Sequence, residues 1–221
     1  MELDELHTRV WRGRIAPASR PVIASGFADL DRYLPGGGWP TGALIEILVD
    51  GYGIGELGLL MPALATLTQH DPVKSPKWIA WVGPPFVPYA PALEQHRVSV
   101  ERLLMIHPGD GHKNRLWSIE QVIRSGSSAG VLAWIVSAED VILRRLQLAA
   151  EDQNCWTVLF RPLAARQQRS PAALRLSLSS RPAAAMRIEI VKCRGGRPGV
   201  IDLVQPVVAH GPNALPSNVG G

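Results

Sequence analysis

The apolar run Leu44-Ile45-Glu46-Ile47-Leu48-Val49 empties into a turn holding Gly51, Gly53 and Gly55, and residues 57–69 then show helical spacing of apolar side chains. A strand that turns through glycines into a helix restricts the fold more than any other part of this chain. It predicts a β–α unit whose turn can gather backbone N–H groups at the helix start. Pro62 falls early in the predicted helix, where a missing N–H is tolerated. The alternation then continues. Strands are predicted at 77–82, 103–107, 131–136 and 155–160, with helices at 89–96, 114–124 and 141–151. Residues 131–136 are continuously apolar, as a strand buried on both faces requires. The pattern predicts an α/β fold with a mainly parallel twisted sheet flanked by helices. Residues 174–179, 186–192 and 200–203 alternate polar and apolar, and are expected to be antiparallel strands extending one sheet edge.

Three segments follow from this pattern. Residues 1–21 read as a short helix with Leu3, Leu6 and Val10 on one face, then a linker containing Pro17 and Pro21. Residues 22–204 form the domain, and the proline-bearing tail at 205–221 is expected to be disordered. No apolar run approaches the ~20 residues of a membrane helix. The acidic start Met1-Glu2-Leu3-Asp4-Glu5-Leu6 is unlike a signal peptide, so a cytoplasmic protein without membrane contact is expected. Cys155 and Cys193 lie far apart in apolar runs and read as reduced, buried thiols.

The net charge of +4 hides an asymmetry. Residues 155–200 hold nine basic side chains against the single acid Glu189, while the rest of the chain carries 14 basic and 18 acidic residues. A basic half beside an acidic half points to an anionic partner, either nucleic acid or an acidic protein surface.

The glycine turn has the outline of a phosphate-binding loop without its chemistry. A working loop reads G-x-x-x-x-G-K-S/T, with backbone N–H groups around the phosphates, a Lys on the terminal ones and a hydroxyl on Mg²⁺. Here the window is Asp50-Gly51-Tyr52-Gly53-Ile54-Gly55-Glu56-Leu57. Only the second Gly matches; Asp50 replaces the first, Glu56 the Lys and Leu57 the hydroxyl. A carboxylate set against a phosphate repels it by roughly 1–4 kcal/mol per pair of unit charges about 4 Å apart. The strand ending at Val82 runs into Gly83-Pro84-Pro85, with no acid to activate water. The strand through Trp134-Ile135-Val136 ends without the Asp that would hold the metal's water shell. The expectation is no catalysis, no nucleotide cofactor and no metal.

The lead-in to this loop, Ser25-Gly26-Phe27-Ala28-Asp29-Leu30-Asp31 and Gly36-Gly37-Gly38-Trp39-Pro40-Thr41-Gly42, resembles RecA, as do residues 82–90 and 98–104. The resemblance to the ImuA family, RecA-like proteins without working ATPase motifs, is closer. It rests on Gly-Gly-Gly-Trp-Pro, residues 143–151, Phe160-Arg161-Pro162, Leu174-Arg175-Leu176 and Lys192-Cys193-Arg194-Gly195-Gly196. Their order spans nearly the whole chain. The resemblance implies a non-catalytic accessory role in SOS-induced, error-prone translesion DNA synthesis. It implies the Y-family-like polymerase homologue ImuB as partner and a DnaE-type polymerase as an indirect one, with contacts to RecA and single-stranded DNA as a further expectation. SulA, the SOS inhibitor of cell division that binds FtsZ, is also RecA-like without the loop, and the fold alone does not separate the two roles.

The expected partner or DNA contacts are basic. Lys192 and Arg194 fall where RecA has a pair of lysines that reach a neighbour's nucleotide. Arg144 and Arg145 sit on the predicted helix at 141–151. Arg161, Arg166 and Arg169 are expected in a loop after a core strand, and Arg197 follows the last glycine turn. No aromatic residue lies between Arg161 and Arg169 to stack a base, so only weak, sequence-independent DNA contact is expected there. Trp78, Trp81, Trp134 and Trp156 are expected in the core, Trp11 and Trp39 at an interface. His107 and His112 lack companions for a metal site.

Overall fold

Continuous apolar strands need cover on both faces, and the layers around the sheet supply it. The computed structural model describes residues 21–69, 77–109, 111–182 and 185–204. The expected helix at 1–11, the linker to residue 20, Trp11 and the tail at 205–221 lie outside the described residues. In chain order the strands are β1 (Val22–Ile23), β2 (Trp39–Pro40), β3 (Ala43–Val49), β4 (Trp78–Val82), β5 (Leu103–Ile106), β6 (Ser128–Trp134), β7 (Trp156–Pro162), β8 (Leu174–Arg181), β9 (Ala185–Cys193) and β10 (Gly199–Val204). The α-helices are α1 (Ala28–Asp31), α2 (Met61–Thr68), α3 (Ala90–Gln95), α4 (His112–Arg124) and α5 (Asp140–Gln153).

Eight strands form one sheet in the order β10-β9-β8-β3-β7-β6-β4-β5, and β1 pairs with β2 in a small ribbon. β8, β3, β7, β6, β4 and β5 run parallel; β9 runs antiparallel to β8, and β10 antiparallel to β9. The fold is α/β with a RecA-like core. The antiparallel strands expected at 174–179, 186–192 and 200–203 extend one edge of the sheet, but β8 is antiparallel only on its β9 side. β8 lies parallel to β3, because the chain crosses over through residues 163–173 before entering it.

One face of the sheet presents Ile45, Ile47, Trp81, Trp134, Trp156 and Phe160 to Leu60 and to Ala63 and Leu64 of α2. Trp134 stacks on Phe160 with ring centroids 4.8 Å apart. The other face presents Leu44, Val131, Ala133 and Leu159 to Ile119 and Ile123 of α4 and to Leu143 and Leu146 of α5. The two periodicities therefore interlock: alternate strand residues meet helix residues three and four apart.

Some boundaries and burials differ from expectation. The helix expected from residue 57 begins at Met61, after a short 3-10 turn at Gly58–Leu60. Pro62 has no N–H to donate and fits only the first turn, so the α-helix cannot start much earlier. Trp39, expected at an interface, is fully buried 6.5 Å from Trp156, because β2 pairs with β1 over the sheet. Trp78, expected in the core, is 42% exposed at the first position of β4. Among the described residues no helix is long and apolar enough to cross a membrane.

Candidate functional site

β3, β4 and β6 point their carboxyl ends at one crevice, the place where open α/β sheets take ligands. The glycine loop after β3 lines it. Gly53 and Gly55 adopt φ of +83° and +94°, a backbone region that residues with a Cβ rarely enter. This curl aims the N–H groups of Gly53 and Ile54 at one point, and the carboxylate of Glu56 occupies that point. The Gly53 N–H donates to Oε1 at 3.0 Å and to Oε2 at 3.1 Å, and the Ile54 N–H donates to Oε2 at 3.0 Å. Glu56 is 5% exposed. The sequence expectation set this carboxylate against a phosphate; the structure instead puts it in the cradle itself. Asp50 and Gly51 are exposed and Leu57 is half-buried.

Across the crevice, Arg115 of α4 donates from Nη1 to the Trp134 carbonyl at 3.2 Å. Its guanidinium packs on Gly83, where a Cβ would stand 2.7 Å from Nε. A cation thus sits at the ends of β4 and β6, where a nucleotide-hydrolysing protein of this fold would carry acids. The Tyr52 phenol feels both charges. Burial raises its pKa and Glu56 adds to the rise, while Arg115 opposes it.

The basic half of the chain builds a second site on the face of β3 and β8. Glu46 of β3 is fully buried and accepts from Arg161 Nη1 at 2.9 Å, Arg175 Nε at 2.7 Å and Ser170 Oγ at 2.7 Å. Parallel register sets Glu46 directly beside Arg175. Arg175 also donates to the carbonyls of Ala165 at 2.8 Å and Gln168 at 3.1 Å, and Arg161 to the Gln168 side chain at 2.7 Å. One carboxylate therefore faces two buried guanidiniums, and the cluster keeps a net positive charge.

Above it opens a cleft of about 510 Å³, lined by Arg144, Gln168, Arg169, Ser170, Arg175 and Lys192 among others. The Lys192 ammonium donates to the Ser170 carbonyl at 2.7 Å, which leaves two of its protons without a partner among the described residues. Burial holds its pKa below the usual value, and Arg194 and Arg175 lower it further. The neighbouring cations thus outweigh nearby acids, and a cleft of that potential attracts an anion.

No protein-family model matches the chain. Against curated proteins it is 29% identical over 220 residues to Protein ImuA of Caulobacter vibrioides strain NA1000 / CB15N, covering 87% of each chain. The match to Protein ImuA of strain ATCC 19089 / CIP 103742 / CB 15 has the same extent. The chain is thus similar to ImuA proteins over most of its length.

The contacts expected from the sequence sort into spent and available cations. Arg161 was expected in a loop, free for DNA or a partner. It lies inside β7 with a fully buried side chain, because a guanidinium there neutralises Glu46. Arg166 holds Glu189 through two bonds at 2.6 and 2.5 Å. Arg145 reaches Glu120, which also accepts from Arg124 at 3.0 Å, so it ties α5 to α4. Arg144 pairs with Asp140 at 2.7 Å but stays 69% exposed at the cleft. Arg194 is exposed and donates to the Pro171 carbonyl at 3.3 Å. Arg169 and Arg197 are exposed without a partner among the described residues.

Sequence reasoning missed Glu46 and Arg175 as a pair. Their signal was present: a lone acid inside Leu44–Leu48 and a lone base inside Leu174–Leu176, opposite charges in strands otherwise apolar at those positions. Charges almost never enter such strands unpaired.

Proposed function

We propose that this chain is a non-catalytic, RecA-like accessory protein of error-prone translesion synthesis. Similarity to ImuA proteins over 87% of the chain supports a role in damage-inducible mutagenesis. The observation that carries the non-catalytic part is the position of the Glu56 carboxylate, bonded to the Gly53 and Ile54 N–H groups where a phosphate oxygen would lie. On this reading the chain acts as a scaffold for the Y-family-like polymerase homologue ImuB and, through it, for a DnaE-type polymerase. The cleft at Arg144, Arg169 and Lys192 is the surface that meets an acidic partner, with RecA and single-stranded DNA as weaker associates.

Two measurements test this. Calorimetry with Mg·ATP is expected to give no heat of binding; micromolar affinity would overturn the non-catalytic part. In co-precipitation with purified ImuB and FtsZ, ImuB is expected to be retained. The double variant Lys192→Glu with Arg169→Glu is expected to lose about tenfold or more in affinity, with weaker salt dependence. Capture of FtsZ without ImuB would instead assign the SulA-type role.

A further inference from the structure

A buried carboxylate needs a reason to stay buried. Leaving water costs a carboxylate several kcal/mol on an order-of-magnitude scale unless donors replace the lost solvent. Glu56 finds its donors in the N–H groups of Gly53 and Ile54, which serve both of its oxygens. Successive N–H groups turned to one point form an anion nest, the same device that holds phosphate in a working loop. The acid comes from the residue after Gly55, three positions beyond Gly53, so the loop closes on itself. A carboxylate also presents two oxygens at a spacing close to that of a phosphate edge.

We propose that Glu56 is the resident ligand of this loop: its carboxylate replaces phosphate in the N–H nest and holds the loop in an anion-occupied conformation without nucleotide. This deepens the non-catalytic reading and rests on it. The loop is not an empty relic. It is an anion site whose ligand is covalently supplied, and its latent specificity is for a phosphate-sized oxyanion. Arg115, whose buried Nε has no partner among the described residues, adds positive charge across the crevice. The nest would therefore remain electrostatically receptive once the carboxylate was removed.

The test uses the full chain, the variants E56A and E56Q, and inorganic phosphate and pyrophosphate as probes at matched ionic strength. In the wild type, the Gly53 and Ile54 amides lie outside helices and strands, yet they are expected to be protected from hydrogen exchange. E56A is expected to lower that protection by about tenfold or more, the loss of one charge-assisted hydrogen bond. Pyrophosphate is expected to restore it saturably and to raise the thermal midpoint of E56A, while leaving the wild type unmoved. E56Q, which keeps one carbonyl acceptor, is expected to fall between the two. Free exchange of both amides in the wild type would overturn the proposal without any variant. So would an equal response of E56A and wild type to pyrophosphate, or no response of E56A. Wild-type binding of Mg·ATP is the separate result that sinks the non-catalytic reading, so the two failures are distinguishable.

Discussion

Replacing Glu46 with Gln removes one charge and almost no volume. The carboxylate is fully buried and takes bonds from Arg161, Arg175 and Ser170 at 2.7–2.9 Å. Without it, two guanidiniums that are 0% and 6% exposed face each other with no anion between them. Removing one member of a buried ion pair destabilises by about 3–5 kcal/mol, because the survivor keeps its desolvation penalty. Here two survivors also repel, so the upper half of that range is expected. For a chain of this size each kcal/mol moves the melting midpoint by about 2–4 °C, so E46Q is expected to melt roughly 8–20 °C lower. Urea unfolding followed by circular dichroism measures the free energy directly. A triple variant checks the cause: Glu46→Leu with Arg161→Leu and Arg175→Met replaces the whole cluster by apolar side chains. Such replacements are often neutral or stabilising, so the triple variant is expected to recover most of the loss. E46Q within about 0.5 kcal/mol of wild type, the range of ordinary surface changes, would refute this account. A triple variant as unstable as the single one would refute it too.

Three further outcomes are expected. Burial works to raise the Glu120 carboxyl, but hydrogen bonds from Arg145 and Arg124 outweigh it and hold the pKa below its ordinary 4.5. A folded value below the unfolded one means a contribution present in full above about pH 4.5 and lost as pH falls through the folded value, so E120Q flattens that limb in a pH series of urea titrations. A Cβ on Gly38 would stand 2.4 Å from the Ile23 carbonyl oxygen, so Gly38→Ala pushes β1 off β2 and destabilises by about 1–3 kcal/mol in the same assay. Burial pushes the Cys155 thiol up to about 11, so a neutral-pH thiol reagent is expected to react with it only after unfolding.

The strands and helices were legible because a parallel sheet demands apolar runs where helices demand amphipathic ones. Residues 43–49 and 156–160 could hardly be anything but central strands. The tryptophans were not legible in the same way. Trp39 and Trp78 are both large and apolar, and their burial depends on pairing that periodicity does not contain: β2 folds over the sheet, whereas β4 begins at its rim. The loop after β3 was legible as a failed phosphate loop, yet the sign of Glu56 misled. Charge counted along the chain predicts repulsion of a phosphate; only φ values at Gly53 and Gly55 show that the side chain curls back to become the anion. The basic residues failed for a related reason. Nine cations in one region looked like a surface, but Arg161 and Arg175 point inward to Glu46, more than a hundred residues earlier in the chain. No local window links them.

Two charge reversals in one crevice then make physical sense together. The loop that would attract phosphate holds a carboxylate, and the strand ends that would carry acids hold the Arg115 guanidinium. In a loop that turns over nucleotide, the anion must leave, and the N–H groups must reorganise when it does. A tethered anion does not leave. Its effective concentration at the nest exceeds the ~mM scale of short flexible linkers, because only a few bonds separate it from the donors. On the proposed reading, free phosphate well below that effective concentration does not displace it, and the loop has no reason to cycle. If the chain is non-catalytic as proposed, its function lies outside the crevice. The feature left with unmet electrostatic demand is the cleft over Glu46, where Lys192, Arg169 and Arg144 stand above a cluster that already holds one positive charge too many. An acidic partner bound there would supply the missing negative charge. Its affinity should therefore fall with salt in the wild type and lose most of that salt dependence when Lys192 and Arg169 are reversed.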